Sequence, residues 1–319
     1  MSTEPKPEPI ELLKARPVPH PGRVISGIIV ALIAITVIHS LFTNPKYDWP
    51  TVQKWLFAPS IVRGVMYTLL LTVCAMLIGI VLALLAAVGR KSTNPVNRAV
   101  AGFYIWFFRG TPIYTQLIFW GVLPSLYSQV SIGLPIGPQY VLGNTQEIFT
   151  PLVCALLGLG LNEGAYLAEI FRSGFAAVDP GQAEAAKALG MSPRQIQWRI
   201  VAPQAMRVIV PPTGNETISM LKTTSLVIAI PVTNELTFQA TRIGQKYYTV
   251  IPMLIVAALW YLFITSVLMV GQHYLEAYYG RGSATGSGKA VPKRQLSKKQ
   301  AAILAAHTVT DDPFLEFTP

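Results

Sequence analysis

Between Val65 and Val88 the chain runs for 24 residues without an Asp, Glu, Lys or Arg. A helix of that length, rising ~1.5 Å per residue, is longer than the ~30 Å hydrocarbon core of a bilayer. Backbone in that medium has no water to bond, so the segment must satisfy its own hydrogen bonds as α-helix. Further apolar runs at about Val24–Phe42, Thr111–Tyr127, Phe149–Phe171, Pro211–Pro231 and Val250–Val270 predict an all-α integral membrane protein with about six transmembrane helices. Composition agrees: 52% of residues are hydrophobic and 13% charged, against ~25% charged in ordinary soluble domains. The first run reads as a span and not a signal peptide, because the polar stretch before it is long and no small-residue cleavage site follows.

Of the 25 Lys and Arg, only Lys46, Lys54, Arg63, Arg242 and Lys246 fall on the side away from the two termini, and Lys222 lies within a span. That bias places both termini in the cytoplasm, and the net charge of +10 then needs no nucleic acid to explain it. Residues 1–23 are expected to be a disordered cytoplasmic tail, 24–59 an additional N-terminal span with an external loop, 60–280 the main transmembrane domain, and 281–319 a second disordered tail with a short helix near Ser297–His307. Asn97–Phe108, aromatic and flanked by Arg98 and Arg109, is expected to lie along the interface, with Arg109 snorkelling. A Gly/Pro-rich external loop is expected as far as about Glu147. Cys74 and Cys154 sit in apolar runs without metal-ligand spacing and read as small buried hydrophobes. Gly286-Ser287-Gly288-Lys289 imitates the end of a phosphate-binding loop, but Ala290 stands where Ser or Thr is needed and Ser283 where the first glycine is needed.

One polar island interrupts the apolar pattern, at 179–204. Asp179 is placed to cap a helix with Pro180 at its first position, and Glu184 to Leu189 are good helix formers ended by Gly190. Ser192, with Pro193 and Gln195 after it, starts a second short helix towards Pro203. Pro211-Pro212 reads as the start of the next span.

The string Glu184-Ala185-Ala186-(x3)-Gly190 in such a loop resembles the coupling loop of ABC importer permeases. Four further blocks are similar to the polar amino acid uptake branch: Arg109-Gly110-Thr111-Pro112, Asn162 to Arg172, Pro203-Gln204-Ala205, and Pro211 to Leu226 with its Leu221-Lys222-x-Thr224-Ser225 segment. The resemblance covers roughly residues 60–280. It implies a type I ABC importer permease fold in a bacterial plasma membrane, with Glu184, Ala185, Ala186 and Gly190 facing a separate ATPase. It also implies a cytoplasmic ATPase dimer using ATP-Mg, a second permease subunit, an extracytoplasmic solute-binding protein and a polar amino acid as substrate. No catalytic, cofactor or metal site is expected on this chain. The other function classes considered are a passive channel, which has no reason to keep an ATPase docking loop, and a membrane enzyme, for which no catalytic constellation stands at usable spacing.

Substrate-pathway candidates are the polar residues within spans: Asn162, Glu163, Glu169, Asn215, Glu216, Lys222, Thr224 and Ser225. An ionised group there costs on the order of 2.5–3.5 kcal/mol on insertion scales, so it should face protein or water. Glu169 is favoured as a partner of Arg172, three residues on. For Glu163 and Glu216, each after an Asn and deeper in its span, a pathway role and a structural role are equally weighted. Thr223 departs from the family, which often has an acidic residue there.

Overall fold

The computed structural model describes residues 21–133, 137 and 139–280. Its elements are α1 (Pro21–Thr43), α2 (Trp49–Leu56), α3 (Pro59–Lys91), α4 (Pro95–Gly110), α5 (Ile113–Leu126), β1 (Gln129–Gly133), β2 (Gln139–Asn144), α6 (Thr145–Ile148), α7 (Pro151–Ala176), α8 (Pro180–Ala188), α9 (Pro193–Gln195), α10 (Ala202–Thr223), α11 (Leu236–Lys246) and α12 (Val250–Tyr279). The N-terminal tail before Pro21, the phosphate-loop imitation at 286–290 and the short helix expected near 297–307 lie outside the described residues.

Among the described residues, four helices are long and apolar enough to cross a bilayer: Gly22–Thr43, Pro59–Lys91, Pro151–Ala176 and Val250–Tyr279. The other two expected spans are built differently. α5 has 14 residues with Pro124 inside it, which is ~21 Å of helix. The last polar span begins at Ala202, before Pro211-Pro212, so those prolines lie within the helix and do not open it. Beyond Thr223 the α-helix tightens into a 3-10 segment, Thr224–Ala229.

Two other expectations are corrected, and one element was not anticipated. The second short helix of the polar island has only Pro193–Gln195 as α-helix, followed by a π-helical turn, Ile196–Val201, that leads into α10. Pro203 therefore falls inside a continuous helical run, directly after the π-helical turn, where its missing N–H takes one bond from the ladder. The Gly/Pro-rich external loop contains a hairpin, β1 antiparallel to β2 with Gln129 opposite Asn144; its glycines hid short strands. The segment between the last two spans holds α11, whose buried residues Leu236, Gln239, Ala240, Ile243 and Gly244 mark one helical face.

Packing divides the chain into two compact units, one comprising the residues up to Ser173 with Pro212–Val270, the other Gly174–Pro211 with the residues from Gly271 on. The first has a core of Ile61, Val65, Leu221, Leu236, Ile243, Met253 and Val256. Glu235 fastens it. Fully buried, its carboxylate accepts from Thr68 Oγ1 on α3 (2.9 Å), from Tyr261 OH on α12 (2.5 Å) and from the Thr237 and Phe238 N–H groups that open α11. One side chain so caps a helix and joins three elements.

Glycines of α7 set its approach to its neighbours. A Cβ at Gly160 would stand 2.5 Å from Ile78 Cγ2 on α3, and one at Gly164 would stand 2.5 Å from Tyr104 OH on α4 and 2.7 Å from Leu82 Cβ. Small residues of this kind let helices pack closely where no hydrophobic driving force separates lipid from side chain. The space is used: Tyr104 OH donates to the Leu161 carbonyl at 2.7 Å.

In the second unit Gln272 Nε2 donates to the Pro211 carbonyl (2.8 Å) and to Glu276 Oε1 (2.7 Å).

Candidate functional site

Within the first unit a cavity of about 380 Å³ is lined by the Arg109–Ile113 turn, by Asn162, Glu163 and Tyr166 of α7, and by Glu216, Ser219, Met220 and Thr223 of α10. That volume is in the range of small-molecule sites, ~300–1,000 Å³. The α10 residues are spaced i, i+3, i+4 and i+7, one face of the helix.

The turn between α4 and α5 is held rigidly. Gln116 Nε2 donates to the Phe108 carbonyl (3.0 Å) and to the carbonyl and hydroxyl of Thr111 (3.1 and 2.7 Å). Asn162 Nδ2 donates to the same Phe108 carbonyl (2.9 Å) and to Gln116 Oε1 (3.2 Å). Asn162 is thus engaged in fixing the wall. Arg109 lies over the Tyr166 ring, 5.3 Å from its centroid, so it forms part of the cavity wall where the sequence had suggested a snorkelling boundary residue.

Glu163 is 4% exposed, and its Oε1 has no hydrogen-bond partner among the described residues. A buried carboxylate oxygen left unmatched is costly unless water or a ligand completes it. It cannot withdraw, because α3 passes against it: a Cβ at Gly79 would meet Glu163 Cγ at 2.8 Å. With Glu216 on the facing helix, the cavity offers carboxylates, and with Arg109 and Ser219 it offers donors, the Thr111 and Thr223 hydroxyls being donated to the Phe107 and Ser219 carbonyls. Such a set suits a ligand that carries both signs of charge.

The other candidates lie elsewhere. Glu169 pairs with Arg172 at 2.7 Å on a partly exposed surface. Asn215 and Lys222 are exposed and fall on other faces of α10. Thr224 is buried with its hydroxyl donated to the Leu221 carbonyl (2.7 Å), and Ser225 Oγ is donated to the Lys222 carbonyl (2.7 Å). Gln116, which the sequence reading passed over, is a lone amide in an apolar run, and that isolation was its signal.

The polar island forms a second feature, within the second unit. Asp179 accepts from the Gly181 N–H at 2.8 Å to start α8. At its end Gly190 N–H bonds the Lys187 carbonyl (3.0 Å) and Met191 N–H the Ala186 carbonyl (3.2 Å), the paired bonds of a Schellman stop. Gly190 has φ +78°, as that motif requires. Ser192 and Gln195 then form a reciprocal capping box. Ala186 is buried beneath the turn, while Glu184, Ala185 and Gly190 face outward. Two large apolar residues that the sequence reading did not single out, Leu189 (83% exposed) and Trp198 (70%), stand out from the same hairpin. Exposed apolar side chains on a polar segment make this hairpin a candidate docking face.

The sequence model of the family described as "Binding-protein-dependent transport system inner membrane component" matches residues 77–279. The arginine transport system permease protein ArgU of Corynebacterium glutamicum is 49% identical over 302 residues, covering 94% of this chain and 90% of that protein. The glutamine transport system permease protein GlnP of Escherichia coli K12 is 32% identical, covering 70% and 93%. Among solved structures, a crystal structure of an amino acid ABC transporter with histidines is 32% identical with a TM-score of 0.57, covering 70% of this chain and 95% of that one. The match extends over most of the chain and includes both the cavity and the hairpin, so the chain belongs to the binding-protein-dependent transport system inner membrane components, as an ABC importer permease of the type I fold.

Proposed function

We propose that the chain is the membrane-pathway subunit of an ATP-driven importer of polar amino acids, and that its substrate is cationic, arginine in the first instance. The observation that carries the reading is the Glu163–Glu216 cavity. The unmatched Glu163 oxygen, with the Glu216 carboxylate in the same cavity, suits a guanidinium or ammonium, and Arg109 with the Ser219 hydroxyl suits an α-carboxylate. The similarity to ArgU supports the choice of substrate.

In this reading ATP-Mg is bound and hydrolysed by a separate pair of cytoplasmic subunits, and this chain binds no cofactor or metal. The hairpin from Asp179 to Gln204, through Glu184, Ala185, Ala186 and Gly190, receives them, with Leu189 and Trp198 as apolar anchors. A second permease subunit completes the pathway, and an extracytoplasmic binding protein delivers substrate. Closure of the ATPase pair moves the hairpin, and the permease alternates between inward- and outward-open states. Cells lacking the chain are expected to lose uptake of labelled arginine, with lysine competing in wild-type cells and the neutral ureido analogue citrulline competing poorly. Unchanged arginine uptake in the deletion strain would overturn the substrate assignment. A passive channel would carry the same cavity without an ATPase, and affinity purification of the native complex with no ATPase bound would favour it.

The orientation follows from the lopsided distribution of Lys and Arg: inner membrane, both termini and the hairpin cytoplasmic. Single cysteines at Tyr140, on β2, should be labelled by an impermeant thiol reagent in intact cells, and those at Leu189 or Trp198 should not. Labelling of the hairpin positions in sealed cells would reverse the topology.

A further inference from the structure

Away from the carboxylate cavity, Arg63, Arg242 and Lys246, like Lys46 and Lys54 on the same side, have no carboxylate within ion-pair distance among the described residues. Arg63 Nε donates to the Pro59 carbonyl (3.2 Å) and Arg242 Nη2 to Gln239 Oε1 (3.1 Å). Each guanidinium has five N–H donors, so most are left for a ligand. Both line one cavity of about 530 Å³ together with Ser60, Thr233 and Asn234. A neighbouring cavity of about 290 Å³ shares Ser60 and Arg242 and adds Lys246, Trp55 and Tyr247. Trp55 and Tyr247 stand 5.5 Å apart, and Lys246 lies 5.3 Å from the Tyr247 ring centroid. Amphipathic rings beside cations are the composition of a headgroup boundary.

What lies beneath decides the ligand class. Met66 and Leu70 also line the larger cavity, and both are exposed on α3. The exposed side chains continue as Val73, Leu77, Val81, Leu84 and Val88, three or four residues apart along one face. An anion site therefore opens onto an uninterrupted apolar rail, at the end of α3 opposite Arg90 and Lys91. An acidic protein surface would match the cations but leave the rail uncovered. An amphiphile with an anionic head satisfies both.

We infer that the Arg63–Arg242 cavity holds the phosphate of an anionic phospholipid whose acyl chain lies along the exposed stripe of α3. Two guanidiniums can grip the phosphate oxygens in pairs, as a lysine ammonium cannot. On the orientation proposed above the lipid belongs to the outer leaflet.

The test uses the assembled transporter, purified in detergent and examined by native mass spectrometry after incubation with phosphatidylglycerol, phosphatidylcholine or inorganic phosphate. Wild type should retain phosphatidylglycerol over phosphatidylcholine by about tenfold, the scale of one charge-assisted contact pair. The double substitution Arg63→Gln/Arg242→Gln should bring the two lipids to parity, while Arg98→Gln, near the other end of α3, should keep the preference. Arg63→Lys/Arg242→Lys, which preserves charge and guards against a misfolded variant, should retain an intermediate preference. Equal retention of both lipids by wild type, or an undiminished preference in the Gln double variant, overturns the inference. So does displacement of phosphatidylglycerol by inorganic phosphate, which would make the site one for free anions. Disulfide trapping between two copies carrying Leu77→Cys would show the rail covered by a second subunit and would overturn it equally.

Discussion

Replacement of Gly190 by arginine is expected to leave the protein inserted in the membrane but to abolish uptake and its coupling to ATP hydrolysis. The glycine stands at φ +78°, where a Cβ costs ~1–2 kcal/mol. That strain is local, because a Cβ built there meets nothing within 4 Å. The chain itself leaves the position open, so any large effect of bulk must come from what docks on it. Gly190→Ala and Gly190→Asn separate the two causes. Both place a Cβ in the left-handed turn, and Asn tolerates it best, but neither fills the face. If docking contributes at the scale of an interface hot spot, ~2 kcal/mol, losing it weakens association about 30-fold. The Arg variant should show that loss as failure of substrate-loaded binding protein to stimulate ATPase in reconstituted membranes, with Ala and Asn largely active. Glu184→Lys, reversing an exposed charge beside the same turn, should act in the same direction. Full stimulation in Gly190→Arg would remove the hairpin from the coupling role. An Ala variant as defective as Arg would place the effect in the turn.

Most of what specifies the hairpin is local, and for that reason it was legible in the sequence. Gly190 after a run of helix formers and Ser192 three residues before Gln195 need no distant contact to take their conformations. The Glu169–Arg172 pair is legible for the same reason, since both lie on one helix three residues apart. The cavity is another matter. A terminal arginine such as Arg109 has the same sequence context whether it reaches for headgroups or turns over Tyr166, and only the Gln116–Asn162 tie decides between them. Counting polar residues in the expected span collected Asn215, Lys222, Thr224 and Ser225 with Glu216. The helical period would have sorted them, because 216, 219, 220 and 223 share a face on which 215 and 222 do not lie. α11 was present in the spacing of Leu236, Ala240 and Ile243, but an 11-residue amphipathic helix beside longer apolar runs is a weak pattern. The buried Glu235 that caps it was illegible, because its partners Thr68 and Tyr261 are far away in sequence.

Loss of charge at Glu163 is expected to be the most damaging isosteric change in the cavity. Glu163→Gln keeps the shape that packs against Gly79 and preserves an acceptor oxygen, so assembly should be intact. What it removes is the acidic group whose buried oxygen is left unmatched. A hydrogen bond to a charged group is worth ~1.5–3 kcal/mol, so arginine uptake at limiting concentration should fall roughly 10–100-fold. Glu216 lines the same cavity and is less buried, so Glu216→Gln should act in the same direction more weakly. If both carboxylates serve one cationic group, the double variant should lose less than the two singles combined. Glu169→Gln provides the control: its partner Arg172 is exposed, such pairs contribute ~0–1 kcal/mol, and uptake should stay near wild type. A substrate readout distinguishes pathway from packing. In Glu163→Gln the discrimination between arginine and citrulline should collapse, whereas a merely structural defect would reduce both together. Wild-type uptake and undiminished discrimination in both glutamine variants would make these carboxylates structural and move the pathway out of this cavity.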